Sequence, residues 1–290
     1  MATSREARTN EQAAVMGTNQ HRSYSPAWRT GTKAFFPALI KAIMKRDWQG
    51  YQHFPRQGGM IVAANHLSYA DWPAMALFSY EAGRYPVFWI KSSAFNVKGI
   101  GALLRGCGQL PVNRGEADAA RVIKISEEAL AAGDCVIIYP EGTATRDPEQ
   151  WPMLAKTGVA RLALSTGAPV VPVAQWGAQD ILPYGTTRPH LVPRRMVRML
   201  AGPPVDLREF EGKPLTRDVL RGATDAIMAD ITALLAELRG GQPPATPYDP
   251  AAARRAARAK ARPSPDSQDQ EPDGKTRTSS GTDPREATPT

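Results

Sequence analysis

The chain has 290 residues, a formal net charge of +8 and a pI near 9.6, a balance that favours contact with an anionic partner. Its two cysteines, Cys107 and Cys135, are too few for a disulfide scaffold and form no metal-type cluster, which indicates a reducing cytoplasm. No run of 18 apolar residues occurs, and the first 25 residues lack the charged-then-apolar pattern of a signal peptide, so we expect neither a transmembrane helix nor secretion.

The first predicted element in chain order is an amphipathic helix over residues 35–45. Its apolar side chains recur with helical spacing and basic side chains surround them: Phe35, Phe36, Leu39, Ile40, Ile43 and Met44, with Lys33, Lys41, Lys45 and Arg46. Such a stripe fits an anionic membrane surface, which predicts a peripheral protein at the cytoplasmic face of the cell membrane. It equally fits the protein core, because amphipathic helices usually bury their apolar face there.

Strands and helices then alternate along the chain. The predicted strands cover residues 60–65, 87–90, 135–139, 170–175 and 195–200, and the predicted helices cover residues 73–80, 117–132, 156–165 and 216–238. This alternation predicts an α/β fold, with a mainly parallel mixed sheet covered by helices. Ligands of such sheets bind at the carboxyl ends of the strands.

The apolar periodicity supports one catalytic domain over residues 26–240. Residues 1–25 and residues 241–290 contain few bulky apolar side chains and cannot form a core. Both ends of the chain are therefore predicted to be disordered.

A histidine and a carboxylate, His66 and Asp71, stand five residues apart just after the predicted strand 60–65. Residues five apart do not share a helix face, so His66 is predicted in the turn and Asp71 near the start of the next helix, where Ser68 and Asp71 form a capping box. A histidine can take a proton from an alcohol near neutral pH, and a carboxylate on its far nitrogen fixes the tautomer. The pair predicts acyl transfer. The alternative is that Asp71 only caps the helix and His66 is an ordinary loop residue.

Three further blocks follow the histidine in order: Gly-Gln-Leu-Pro-Val-Asn-Arg at 108–114, Tyr-Pro-Glu-Gly-Thr at 139–143 and Val-Pro-Val at 171–173. Arg114 offers a planar fork of donors that matches a phosphate, although a surface arginine is the alternative. Gly142 lets the backbone approach a ligand closely and Thr143 offers a hydroxyl, which suits phosphate or headgroup contact. Glu141 fits a carboxylate at a helix N-terminus.

In this order and spacing, the four blocks resemble those of the glycerolipid acyltransferases, specifically the 1-acylglycerol-3-phosphate (lysophosphatidic acid) acyltransferases of PlsC type, over residues 35–176. The resemblance implies that His66 is the general base and that Asp71 orients it. It also assigns substrate binding to a second set: Arg114, Glu141, Gly142, Thr143 and Lys91.

Two positions depart from the family pattern. Asn113 stands where the family often has an acidic residue, and Ala144 stands where an arginine or serine is usual. Arg146 is a candidate substitute for the missing arginine. Residues 156–158, Lys-Thr-Gly, also fit the family pattern.

The activity that the resemblance implies is transfer of a fatty acyl group from acyl-CoA or acyl carrier protein to 1-acyl-sn-glycerol 3-phosphate, giving phosphatidic acid in phospholipid biosynthesis. Direct transfer is favoured over an acyl-enzyme, because no GxSxG motif is present and neither cysteine has a histidine motif beside it. No cofactor or metal is expected, since the four histidines are scattered without ligand spacing. The expected partners are the thioester donor, the lysophospholipid acceptor and an anionic membrane surface.

Other functions remain open at this stage. The acceptor could be glycerol 3-phosphate, another lysophospholipid or a lipid-linked sugar, and the chain could be a non-catalytic basic peripheral membrane protein. A nucleic-acid partner is not expected, because the basic stretch 251–262 lacks interleaved aromatic residues and any recognition motif.

Overall fold

The computed structural model describes residues 25–113, 116–186 and 188–261. Its strands are β1 (Met44–Gln49), β2 (Met60–Ala64), β3 (Pro86–Lys91), β4 (Leu110–Val112), β5 (Cys135–Ile138), β6 (Val170–Trp176) and β7 (Arg195–Ala201). They form one sheet in the order β1-β7-β6-β2-β5-β3-β4. β6 and β7 pair antiparallel, and the other pairings in this sheet are parallel. The predicted α/β fold with a mainly parallel mixed sheet is therefore confirmed.

Helices cover both faces of the sheet. They are α1 (Pro26–Ile43), α2 (Asp71–Glu81), α3 (Ile100–Gly106), α4 (Glu116–Ala131), α5 (Gly158–Thr166), α6 (Ala178–Ile181) and α7 (Arg217–Arg239). One more helix, α8 (Pro250–Ala261), follows in the chain and is described by itself below. Alternate residues of β2 enter two core clusters, with Met60 and Val62 on the side of α2 and Ile61 and Ala63 on the side of α5 and α7. Burial on both faces explains why the central strands are continuously apolar.

The predicted helix over residues 35–45 is wrong at its end, because α1 stops at Ile43 and residues 44–49 form β1. Met44 and the residues after it pair in parallel with β7, which begins 151 residues later at Arg195. This edge strand carries mostly exposed polar side chains, so its formation depends on a long-range partner rather than on a local pattern.

The apolar stripe of α1 is divided between two surroundings. Ile40 is buried in the core, and the ring of Phe36 stacks on that of Trp72 with 5.6 Å between centroids. Phe35 and Leu39 are exposed. Core packing thus accounts for part of the stripe, and the membrane contact of its exposed part stays a prediction.

The chain divides into two compact units, the first ending at Asp249 and the second beginning at Pro250. The prediction of disorder from residue 241 stays a prediction, and the structure describes its first part as far as residue 261. Within the first unit, Tyr248 forms a backbone bridge with Met153. The described part of the second unit is α8, whose alanine, arginine and lysine residues are strong helix formers. The predicted disorder of residues 1–24 and 262–290 lies outside the described residues.

None of the helices in residues 25–113, 116–186 and 188–261 is long and apolar enough to cross a membrane.

Candidate active site

Residues that follow neighbouring strands meet at one edge of the sheet. His66 follows β2, and Glu141 follows β5, which pairs with β2 in parallel. The backbone N–H of His66 donates a hydrogen bond of 2.9 Å to Glu141 Oε1, and the backbone N–H of Thr145 donates one of 2.7 Å to the His66 carbonyl. The parallel sheet therefore joins two sequence blocks that lie 75 positions apart.

Residues 65–71, which we call the histidine loop, hold the imidazole of His66 against a buried carboxylate. His66 Nδ1 lies 2.8 Å from Asp71 Oδ2, and the backbone N–H groups of Leu67 and Ser68 donate to the same oxygen at 2.6 and 2.9 Å. Because an ionised carboxylate only accepts hydrogen bonds, Nδ1 carries the proton. The lone pair is then on Nε2, as a general base requires.

Only half of the predicted capping box forms, because Asp71 Oδ2 accepts from the Ser68 N–H at 2.9 Å but Ser68 Oγ accepts from the Ala70 N–H and not from that of Asp71. Helix α2 begins at Asp71, two residues earlier than expected, and no side chain caps its N-terminus. The Asp71 carboxylate turns back to the loop that precedes it, and Ser68 Oγ donates instead to the Leu182 carbonyl at 2.6 Å. Asp71 thus orders the turn that carries His66 as well as the imidazole itself.

Asn65 fixes the first residue of the histidine loop to strand β6. Asn65 Nδ2 donates to the Gln175 carbonyl at 3.1 Å, and Asn65 Oδ1 accepts from the Gln175 N–H at 2.9 Å. Gln175 Nε2 also donates to the Asn65 carbonyl at 2.7 Å. Both residues are buried, so loss of either side chain leaves polar groups without partners. Gln175 carries no motif of its own, and sequence reasoning missed it.

Glu141 links two loops and does not face solvent. Its Oε1 accepts from His66 N–H, and its Oε2 accepts from the Met153 N–H at 3.0 Å. Burial raises the pKa of Glu141 to about 8; the two backbone hydrogen bonds oppose this shift, and the negative charge of Asp71 adds to it. The geometry assigns this carboxyl to organisation of the site.

The aromatic residue of the Tyr-Pro-Glu-Gly-Thr block covers one face of the histidine. The rings of Tyr139 and His66 stack with 4.4 Å between centroids and an angle of 19° between planes. Burial and then the charge of Asp71 raise the pKa of Tyr139, so its hydroxyl stays neutral and does not compete as a base. The sequence block included Tyr139, but its contact with His66 depends on the register of β2 and β5.

The substrate-binding candidates have different surroundings in the structure. Gly142 has a φ of 71°, and a Cβ at that position would lie 3.2 Å from Lys156 Nζ, which places this ammonium group beside Gly142. Thr143 is half-buried. Lys91 is the exposed last residue of β3, two strands from β2. Arg114 lies outside the described residues. The sequence identified Lys156 only as part of residues 156–158, which fit the family pattern.

The departure at Ala144 has a packing reason. Ala144 is completely buried, so an arginine there would enter the core. Arg146, two residues further on, is half-buried and lines a cavity beside the loop.

Neither cysteine is placed as a nucleophile. Both are buried, and burial raises the pKa of Cys135 to about 12, so its thiolate is suppressed. Within residues 25–113, 116–186 and 188–261, no group of three or more histidine, cysteine, aspartate and glutamate side chains could hold a metal ion.

Comparison with known proteins gives a family model and several relatives. Residues 45–176 match the model of the Acyltransferase family. The chain is 31% identical over 149 residues to 1-acyl-sn-glycerol-3-phosphate acyltransferase BAT2, chloroplastic, of Brassica napus, covering 51% of this chain and 42% of that protein. It is 27% identical to 1-acyl-sn-glycerol-3-phosphate acyltransferase LPAT1, chloroplastic, of Arabidopsis thaliana, covering 51% and 40%. The chain thus spans less than half the length of these relatives.

A solved structure shares the fold. The 1-acyl-sn-glycerophosphate (LPA) acyltransferase PlsC from Thermotoga maritima superposes with a TM-score of 0.56 at 20% identity, covering 74% of this chain and 81% of that one.

Proposed function

We propose that this chain moves a fatty acyl group from a thioester donor to the free hydroxyl of 1-acyl-sn-glycerol 3-phosphate, as its match to the Acyltransferase family model over residues 45–176 and its similarity to plant 1-acyl-sn-glycerol-3-phosphate acyltransferases support. The donor is acyl-CoA or acyl carrier protein, and the products are phosphatidic acid and a free thiol. One observation carries the proposal: His66 Nδ1 lies 2.8 Å from the buried carboxylate of Asp71, at the sheet edge where ligands of parallel sheets bind.

The proposed reaction uses His66 as the base and then as the acid. Nε2 removes the proton from the acceptor hydroxyl, and the oxygen attacks the thioester carbonyl carbon. The C–S bond breaks, and the leaving sulfur takes the proton back from His66. Asp71 stabilises the imidazolium that forms between these steps. Tyr139 and the Glu141 contact keep the ring and its backbone in place.

The substrate contacts remain proposals drawn from the family resemblance. We assign Arg114, Lys91 and the Glu141-Gly142-Thr143 segment to binding of the acceptor or the donor. Within that segment, Gly142 and Thr143 are available to a ligand, whereas both oxygens of Glu141 already accept backbone hydrogen bonds. Glu141 therefore contributes by holding the segment in position.

Thiol release from acyl-CoA, measured with each acceptor in turn, tests the proposed reaction. We expect 1-acyl-sn-glycerol 3-phosphate to give the largest kcat/KM, with phosphatidic acid as the product by mass spectrometry. Faster turnover of glycerol 3-phosphate, another lysophospholipid or a lipid-linked sugar would replace the proposed acceptor. Absence of thiol release with all of them and with both donors would instead favour a non-catalytic peripheral membrane protein.

We also propose a peripheral location on an anionic membrane through the outer side of α1. Phe35 is 73% exposed and Leu39 is 47% exposed, while Lys33 and Lys45 extend from nearby exposed positions. Lys41 is less available, because its ammonium group lies 3.0 Å from Glu81. Apolar insertion combined with a few free lysines is the usual composition of an interfacial helix.

Vesicle co-sedimentation tests this location. A double variant, Phe35→Ser with Leu39→Ser, should weaken binding to anionic vesicles by about ten-fold or more, because two side chains no longer enter the lipid. The matched control changes exposed Ala34 and Ala38 of the same helix to serine. Equal binding of the wild type and the Phe35/Leu39 variant would exclude the outer side of α1 as the membrane contact.

A further inference from the structure

A cavity of about 490 Å³ opens beside the histidine loop. One wall is formed by Leu67, the residue after His66, and by residues 145–150. The other wall comes from Arg195 at the start of β7 and from five residues of the segment between β6 and β7, which we call the β6–β7 connection: Gln179, Asp180, Pro183, Tyr184 and His190. The family model ends at residue 176, so this second wall lies beyond the matched region.

The direction of β7 brings Arg195 to the edge of the sheet that carries His66. Trp176, the last residue of β6, pairs with Arg198 of the antiparallel strand β7. Arg195 precedes that pair by three residues and therefore lies beyond the carboxyl end of β6. β2 is the other neighbour of β6 and leads directly into His66.

The cavity is lined by two arginines and two aspartates, and one arginine donor has no acceptor among the described residues. Arg195 Nε is buried and has no hydrogen-bond acceptor in the part of the chain that the structure describes. Arg146 lines the same cavity. Asp147 also lines it, but its two carboxylate oxygens accept the backbone N–H groups of Glu149 and Trp151 at 3.3 and 3.1 Å. Asp180 is the remaining carboxylate of the lining.

The neighbouring residue, Arg194, shows what a structural arginine does in this segment. Its guanidinium donates to the carbonyls of Lys41 and Met44 at 2.6 and 2.8 Å, which ties the end of α1 to the start of β7. Arg195 Nε makes no comparable hydrogen bond to any residue that the structure describes. The guanidinium of Arg195 is half-buried, one of its donors has no acceptor among the described residues, and its cavity is also lined by Leu67, the neighbour of the proposed base His66. Such a group suits an anionic ligand.

We propose that Arg195, together with Arg146, binds a phosphate group of a substrate in this cavity. The inference rests on the proposed acyl transfer, and it adds a residue outside the family motifs to the binding site. Phosphate fits because the arginine fork donates two parallel hydrogen bonds to it, which a lysine cannot do. Both substrate classes carry this chemistry, since the acceptor has a phosphomonoester and CoA has a 3′-phosphate and a diphosphate.

Isothermal titration calorimetry with glycerol 3-phosphate and, separately, with CoA tests the inference without any acyl transfer. Arg195→Gln should weaken one of these ligands by about ten-fold or more. Arg195→Lys keeps the charge but not the fork and should recover only part of the affinity. Arg188→Gln is the matched control, because Arg188 is an exposed arginine of the same connection that does not line the cavity.

Selective loss of glycerol 3-phosphate binding assigns the cavity to the acceptor phosphate, and selective loss of CoA binding assigns it to the donor. Unchanged binding of both ligands in Arg195→Gln, or no binding of either to the wild type at millimolar concentration, overturns the inference. Ligand binding that depends on Arg195 in a protein that releases no thiol would support the cavity and contradict the proposed reaction. Thiol release with unchanged KM values in Arg195→Gln would support the proposed reaction and contradict phosphate binding by Arg195.

Discussion

The histidine loop and the β6–β7 connection lie at the same edge of the sheet but use their polar groups differently. In the loop, Asp71 Oδ2 accepts three hydrogen bonds, and Asn65 takes part in three with Gln175. Beside the connection, Arg195 Nε is left without an acceptor in the described residues. The internally bonded region suits proton transfer, which needs fixed geometry. The region beside the β6–β7 connection, where Arg195 Nε has no acceptor among the described residues, suits ligand binding.

The two regions are also connected to each other. Ser68 Oγ of the histidine loop donates to the carbonyl of Leu182 in the connection, so the rigid loop positions one wall of the cavity. Changes inside the loop should therefore lower turnover first, and changes beside the connection should alter ligand affinity first. The predictions below test the first part of this difference.

The largest effect is expected for Asp71→Asn. The amide cannot stabilise the imidazolium and leaves His66 without its fixed tautomer, so kcat should fall by about 100-fold or more while KM changes little. Steady-state kinetics measure both constants, and circular dichroism checks that the variant folds. A large rise in KM with normal kcat would place Asp71 in ligand binding and remove the distinction between the two regions.

A smaller effect is expected at Tyr139. Tyr139→Ala removes the ring that stacks on His66, and an aromatic pair contributes about 0.5–1.5 kcal/mol, so turnover should fall roughly two- to twelve-fold. Tyr139→Phe keeps the ring and serves as the control, with turnover near that of the wild type. Equal loss in both variants would shift the role of Tyr139 from the ring to the hydroxyl.

The last prediction concerns stability instead of turnover, namely the pH dependence of stability that Glu141 causes. The pKa of this carboxyl is raised from 4.5 to about 8, so the folded state retains a proton that the unfolded state loses. Its contribution to stability is greatest below pH 4.5, declines as the pH rises to about 8 and is constant above that.

Thermal unfolding of Glu141→Gln and of the wild type across this pH range measures the contribution. The difference in unfolding temperature between wild type and variant should shrink or change sign as the pH rises from 5 to 8. We expect a change on the order of ten degrees, because a shift of about three pKa units corresponds to roughly 4 kcal/mol and each kcal/mol moves the unfolding temperature by about 2–4 °C. A difference that is constant with pH would mean that Glu141 stays ionised, as its two accepted hydrogen bonds favour.

Sequence reasoning was sufficient for the parallel core of the fold and for the convergence of His66 and Glu141. Both residues follow strongly apolar strands, and parallel strands place their carboxyl ends together. The close contact of His66 with Asp71 was also predicted, as was the hydrogen bond from the Ser68 N–H to the Asp71 carboxylate. The other half of the capping box was wrong, because Ser68 Oγ accepts from the Ala70 N–H and not from that of Asp71.

Other features depend on contacts that no local pattern encodes. β1 is a charged edge strand that forms because β7 lies beside it, and β7 reverses direction relative to β6. Arg195 reaches the site only because of that reversal. Its neighbour Arg194 has the same side chain but donates to backbone carbonyls of the protein itself. The sequence alone cannot distinguish these two roles.

The most direct measurement of the central claim is the kcat of His66→Ala in the thiol-release assay, with His53→Ala as the matched control on a histidine outside the histidine loop. We expect kcat to fall by about 100- to 10,000-fold in His66→Ala, the usual contribution of a positioned base, and to stay normal in His53→Ala. The unfolding temperature of His66→Ala should remain close to that of the wild type. A folded His66→Ala variant that keeps more than about a tenth of wild-type kcat, well outside that range, would contradict the assignment of His66 as the general base.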